Sequence, residues 1–502
     1  MLELSFITSK YLFPITIPLF VAIIILITGR FMENKMLLGS ISTIGLMLVI
    51  YFSFANFIES MSSPILLEFS TGGTIIAIDS LSAMISLISS ILGAIVSLYS
   101  IGYFEDKRMT EFYFLHLLMI SALNGVAYSG DLVTLFVFTE FLAITAYVLV
   151  AFHRNKESIE ASFKYIIMGS IGAAFALLAL SYVYILAGTT DLTKLNDALN
   201  NQPRIMHYFL LIMFLFGFGV KSAIFPVHTW LPDAHSAAPS GVSAMLSGIV
   251  IEVELFALIK ILVSIFYNRT SSPFDHIITL FLLIIAALTM TIPNLTALVQ
   301  EDIKRMLAYS SVYNMGLMLV GVAIGTPLAL AATAFHILNH GIAKAAIFIC
   351  AGSFIKEGNT REIKKLMGIG TIMKVTAITF SIAAFFLAAF PPLAMFWSKL
   401  FLINATVRSS KQIGWMGIII AILIVVNSVI SIGYYYGILL QNIVIIPENQ
   451  ISENVREASE KSKTIILSEV ILLAIMLVVS IMSLFIFDII CHCVNSFISI
   501  YS

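Results

Sequence analysis

Apolar stretches long enough to cross a bilayer, roughly 20 residues each, recur from one end of this 502-residue chain to the other. No other feature narrows its fold as much. In hydrocarbon every backbone N–H and C=O must find a partner within the protein, which leaves the α-helix as the element for such runs. Fourteen spans can be marked, near 11–29, 36–58, 75–101, 112–129, 131–152, 162–187, 206–229, 240–267, 275–293, 303–324, 327–355, 372–405, 413–441 and 464–490. The sequence therefore predicts an all-α membrane protein of about fourteen transmembrane helices. The twelfth run is too long for one straight helix and holds Pro391-Pro392, so a break is expected there. The first run lacks a basic flank and a small-residue cleavage site and reads as a retained helix.

Composition agrees. Charged residues make up 11% of the chain, against about 25% in soluble domains. A net charge of -1 gives no reason to expect a nucleic-acid partner. Cys350, Cys491 and Cys493 are too few and too badly spaced for an iron–sulfur cluster or a disulfide framework. No Gly-rich dinucleotide loop stands at a strand–helix junction. No metal or cofactor is expected in the chain.

Loops after the odd-numbered spans, with the adjoining helix ends, hold 17 of the 27 lysines and arginines. The opposite side holds 6, and 4 lie within spans. Basic residues favour the cytoplasmic side, so the odd loops are predicted to be cytoplasmic and both termini extracytoplasmic. The polar connector 442–463 is expected to form a short amphipathic surface helix.

The ionisable groups in mid-span carry the functional signal. They are Glu140 in span 5, Lys221 in span 7, Glu252, Glu254 and Lys260 in span 8, His336, His340 and Lys344 in span 11, and Lys399 in span 12. Each charged group costs about 2.5–3.5 kcal/mol at a helix centre on insertion scales, and such groups face a protein interior or a water-filled path. One such residue could be a structural ion pair. Groups on five helices exceed what structural pairing needs and point to a proton or ion path. His336, His340 and Lys344 recur every fourth residue and so share one helix face. Two histidines on one helix cannot clamp both sides of a haem. Pro226 and Pro391-Pro392 interrupt the two spans that carry Lys221 and Lys399, and broken helices at mid-membrane are where transporters place ion sites. Spans 7 and 12 are five apart, which predicts two inverted five-helix repeats. The expected units are an N-terminal three-helix segment (1–110), the repeats (111–267 and 268–441), and a connector with the last span (442–502).

Six segments carry a resemblance: "YSIGYFEDKRMTEFY", "FVFTEFLAITAYVLVAF", "KSAIFPVHTWLPDAHSAAPSGVSAMLSG", "DIKRMLAYSSVYNMG", "FHILNHGIAKAAIF" and "PPLAMFWSK". Over about 79–402 the chain resembles the antiporter-like subunits of respiratory complex I, the D-type subunit of Mrp sodium/proton antiporters, and the matching subunits of membrane-bound hydrogenases and related archaeal complexes. The resemblance implies that Glu140 is the carboxylate partner of Lys221. It implies that His336, His340 and Lys344 continue a polar axis, and that Lys399 ends it near the outside. Lys304 and Arg305 would be the basic pair opening span 10, with Asp233 and His235 in the loop after span 7. The family usually has a lysine where "SGIVIE" places Glu252, so the charge is reversed there.

The function so implied is ion translocation, of protons and possibly sodium, by a non-catalytic membrane subunit of a redox complex. Its partners would be other membrane subunits and peripheral subunits holding the redox cofactors. A proton on Lys221 would pass through Glu252 toward His340, Lys344 and Lys399. A D-type subunit of a stand-alone sodium/proton antiporter is the alternative. An organic-ion transporter fits less well, because the charges spread laterally instead of ringing one site.

Overall fold

The computed structural model describes residues 2–32, 34–69, 73–105, 108–267, 273–446 and 451–501, with side chains from residue 10 onward. It is a helical bundle with a single two-stranded hairpin among the described residues. Most spans fall where hydropathy places them: Leu2–Phe31, Lys35–Ser60, Ser80–Tyr103, Met109–Tyr128, Leu132–Val150, Lys156–Ala187, His276–Ala297, Ile303–Ile324 and Pro327–Gly358. The eighth span runs unbroken over 240–266 and includes a π-helical turn at Leu246–Val250. The eighth, tenth and eleventh spans are almost wholly buried. Spans 1, 2, 6 and 13 show large apolar side chains outward, as lipid-facing helices do.

Four sequence expectations need correction. The third span begins at Ser80, not 75, because Ile75–Ile78 pairs antiparallel with Ile65–Glu68. Asp79 then caps the helix, accepting from Ser82 N at 2.9 Å. The seventh span ends its first helix at Lys221 and resumes as Trp230–Ala237, so Asp233 and His235 lie on a half-helix and not in a loop. The fourteenth span is two helices, Lys463–Ile481 and Ser483–Tyr501. They run on in one direction along span 3, from Ser468 near Ile95 to Tyr501 near Asp79. The connector is not an amphipathic helix over 451–462. There it holds a 3-10 turn at Glu453–Val455 and is otherwise irregular. Its backbone is tied outward, with Glu357 accepting from Ser459 N, and its own Glu460 accepts from Thr376 N. Residues 447–450 of that connector lie outside the described residues.

Span 12 breaks at the expected prolines, between Lys374–Leu387 and Ala394–Arg408. The two breaks are built alike. Ala223 and Ala389 both have positive φ, 52° and 60°. Ile224 N donates to Gly219 O at 2.8 Å, and Phe390 N donates to Phe385 O at 3.0 Å. The starts of spans 5 and 10 also match. Asp131 pairs with Asp191 and Asp302 with Glu362 as isolated antiparallel bridges, and Asp131 and Asp302 cap their helices.

Candidate functional site

Lys221 closes the first half of span 7, where the unpaired carbonyls of a helix end favour a cation. The chain then turns back through Ala223, and Val220 O accepts from the Trp230 indole at 2.8 Å. The lysine is thereby held at the break. Its Nζ donates to Glu140 Oε1 of span 5 at 2.6 Å. The Lys221 side chain is 4% exposed and that of Glu140 28%. The carboxylate therefore sits on the outer side of the pair, beside the exposed Val137 and Ile144.

Span 8 carries two buried carboxylates. Residues two apart on a helix point about 200° away from each other, so Glu252 and Glu254 serve opposite sides. Glu254 interacts electrostatically with Lys221 and Glu140, and the neighbouring Tyr147 and Tyr165 interact with Glu140 and Glu254. Glu252 points the other way and hydrogen-bonds His340 Nδ1 through Oε1. The helices can come this close because Gly248 and Gly341 meet. A Cβ on Gly341 would stand 2.4 Å from Gly248 O and 3.1 Å from Glu252 Oε2. Small residues permit such backbone contact between membrane helices.

From His340 the polar line continues along span 11. The His336 and His340 rings stack with centroids 6.2 Å apart. His336 Nδ1 meets Ser398 Oγ at 3.0 Å, and Nε2 meets Asn314 Oδ1 at 3.1 Å. Asn314 Nδ2 donates to Ser310 O at 2.7 Å, which fixes the amide orientation. Neutral His336 then carries its hydrogen on Nε2 and accepts from the Ser398 hydroxyl at Nδ1; this tautomer is assigned from the network. A second proton needs only that Ser398 turn its hydrogen to Met395 O, 2.9 Å away. Lys399, next in sequence to Ser398, is buried. Its Nζ has no hydrogen-bond partner among the described residues and lies 5.3 Å from the Tyr313 ring centroid. Lys344 donates to Leu307 O at 2.8 Å and to Ser310 Oγ, and it interacts electrostatically with Glu252.

On the basic-rich side, His235 is fully buried, and neither ring nitrogen has a hydrogen-bond partner among the described residues. It stacks on Phe348 at 4.9 Å and interacts with Lys304 and Lys344. Lys304 donates to Ala238 O. Asp233 lies further out, bonded to Lys164 at 3.0 Å and Arg305 at 2.6 Å. Pro226 stands inside the span 7 break, and Pro391 and Pro392 inside that of span 12.

The model of the family described as "NADH:quinone oxidoreductase/Mrp antiporter, TM" matches residues 129–431. The chain belongs to this family. It is 30% identical to F(420)H(2) dehydrogenase subunit N of Methanosarcina mazei, with 85% of this chain and 87% of the relative covered. It is 27% identical to the D-type subunit of the Na(+)/H(+) antiporter of Alkalihalophilus pseudofirmus, covering 80% and 81%. Its fold matches a chain in the structure of the membrane-bound sulfane sulfur reductase, an archaeal respiratory membrane complex. There the TM-score is 0.87 at 26% identity, with 98% and 99% covered.

In this NADH:quinone oxidoreductase/Mrp antiporter family member the expected residues fall into two groups. Glu140 and Lys221 form one. Glu252, His336, His340, Lys344 and Lys399 form the other, with His235 and Lys304 leading to it. The sequence expectation routes the proton from Lys221 directly through Glu252, but Glu254 is the carboxylate of span 8 that interacts with Lys221. The two-residue spacing was the available signal, since it cannot put both carboxylates on one face. Lys260 belongs to neither group. It donates to Ala127 O at 2.6 Å and Ser129 O at 3.0 Å, capping the end of span 4.

Proposed function

We propose that this chain is an ion-translocating subunit of a multi-subunit respiratory membrane complex, moving protons or exchanging sodium for protons through a mid-membrane relay. The observation that carries the reading is the Lys221–Glu140 pair, with the lysine buried, and with Glu254 and Glu252 on the two faces of span 8 between it and the histidine line. Closure of the pair holds a proton on Lys221. Opening it frees that proton to pass by Glu254 across span 8 to Glu252 and His340, then along His336 and Ser398 to Lys399. His235 and Lys304 give the central groups a route from the basic-rich side. The prolines at the two breaks loosen the backbone beside Lys221 and Lys399, where water can reach it.

The relatives' own names, a dehydrogenase subunit and an antiporter subunit, support membership of a larger assembly. The partly exposed Glu140 faces a second membrane subunit, because a carboxylate at this depth does not face lipid. Redox cofactors sit in partner subunits. The membrane is the cell membrane, with the odd loops cytoplasmic and both termini outside. Spans 4–8 and 9–13 act as two inverted repeats, 111–267 and 268–441, flanked by 1–110 and 442–502. A D-type role in a stand-alone antiporter is the second reading, supported by the 27% identity to the Alkalihalophilus pseudofirmus antiporter chain. Replacing Lys221 with alanine in the intact complex is expected to leave assembly and partner redox turnover in place and to abolish coupled ion movement. Translocation at the normal stoichiometry would overturn the mechanism.

A further inference from the structure

Away from the relay, a cavity of about 240 Å³ opens at the ends of spans 3, 11, 12 and 14. Its mouth carries Glu105, Lys356, Glu357 and Glu460, and deeper in lie Ser353 and Thr376. Behind these two hydroxyls stands Glu469 of span 14, fully buried. Ser353 Oγ donates to its Oε1 at 2.7 Å, and Thr376 Oγ1 donates to its Oε2 at 2.9 Å.

Of the other buried glutamates, Glu252 is bonded to His340 and Glu254 interacts electrostatically with Lys221. Glu469 has no basic partner among the described residues. The groups acting on it are Ser353, Thr376 and a second carboxylate, Glu460. Lys356 is directed elsewhere, to Gly102 O at 2.8 Å and to Glu105 at 3.4 Å. The fully buried Tyr99 hydroxyl lies beside Gly352 and Ser353 and interacts electrostatically with Glu469. The buried Cys350 also senses Glu469. A buried carboxylate without a basic neighbour takes up a cation to offset its lost hydration. Carboxylate and hydroxyl oxygens are hard donors, suited to a proton or an alkali ion.

We propose that Glu469 is a cation-loading site fed from this vestibule, binding one sodium ion or one proton and exchanging it with the basic-rich side of the membrane. Loading by a proton places it on a carboxyl oxygen. Sodium displaces that proton to vestibule water, so charge is conserved in the exchange. The site stands apart from the Lys221 relay, and its use in transport rests on the ion-translocating reading.

Infrared difference spectroscopy on the intact complex tests this with two steps, one in pH at low sodium and one in sodium at fixed pH. A carboxyl C=O band is expected that responds to at least one step and is absent in Glu469→Gln. A response to sodium assigns sodium–proton exchange, and a response to pH alone assigns proton loading. Thr376→Val keeps the carboxylate but removes a donor, so it should shift the band without erasing it, and it serves if the glutamine variant does not assemble. Lys221→Ala should keep the band while losing translocation, which separates failure of this site from failure of the relay. Translocation in Glu469→Gln is expected to fall about a hundredfold, the lower end of the cost of removing a proton-transfer group. A complex with no sodium- or pH-sensitive band lost in Glu469→Gln, with a band unmoved by Thr376→Val, or with wild-type translocation in Glu469→Gln would overturn the proposal.

Discussion

Replacing Glu140 with glutamine keeps the side-chain shape and removes only the charge that faces Lys221. At the 2.6 Å separation of the pair, Coulomb's law gives about 6 kcal/mol with an effective dielectric near 20, and about 1.6 kcal/mol in bulk water. Glu140 is 28% exposed, so the interaction lies between these limits. Moving one charge against 100 mV costs about 2.3 kcal/mol. The pair energy is therefore of the size needed to hold or release a proton against a membrane potential. Glu140→Gln is expected to reduce translocation against such a potential more than tenfold, since about 1.4 kcal/mol is a factor of ten. The loss should be smaller when the potential is collapsed. The assay is the intact complex in liposomes, with a pH-sensitive dye and the redox rate followed together, with and without a potassium ionophore. Unchanged ions per electron under a full potential would refute the role given to the pair. An equal loss with and without the potential would refute the energetic argument.

Gly341→Ala would put a methyl group 2.4 Å from Gly248 O. It should force spans 8 and 11 apart at a cost of about 1–3 kcal/mol and disturb the Glu252–His340 bond, read as a lower thermal midpoint together with slower translocation. Full stability and activity would show that the helices do not meet backbone to backbone. Lys260→Met leaves Ala127 O and Ser129 O without their donor. It should destabilise by about 1–3 kcal/mol while translocation per assembled complex stays normal. A selective loss of translocation would move Lys260 into the path.

The sequence by itself determined that the chain is a multi-span helical membrane protein, because roughly 20-residue apolar runs admit little else. It also marked the candidate residues, since ionisable groups at mid-depth are costly wherever they fall. Glu140, Lys221, His336, His340 and Lys399 are legible for that reason. So are the breaks at Pro226 and Pro391-Pro392, where proline removes a donor and clashes with the preceding turn. Only the tertiary structure decided which charge meets which. Glu252 and Glu254 are equally apolar-flanked in sequence, and it is packing at Gly248 and Gly341 that turns Glu252 to His340 and leaves Glu254 to Lys221. His235 belongs to a half-helix because the chain resumes at Trp230 after the break, which hydropathy does not register. The likeness of the two halves lies in backbone bonds, such as Ile224 to Gly219 and Phe390 to Phe385. Backbone geometry tolerates many side chains, so the two halves can match in structure where their sequences hardly do.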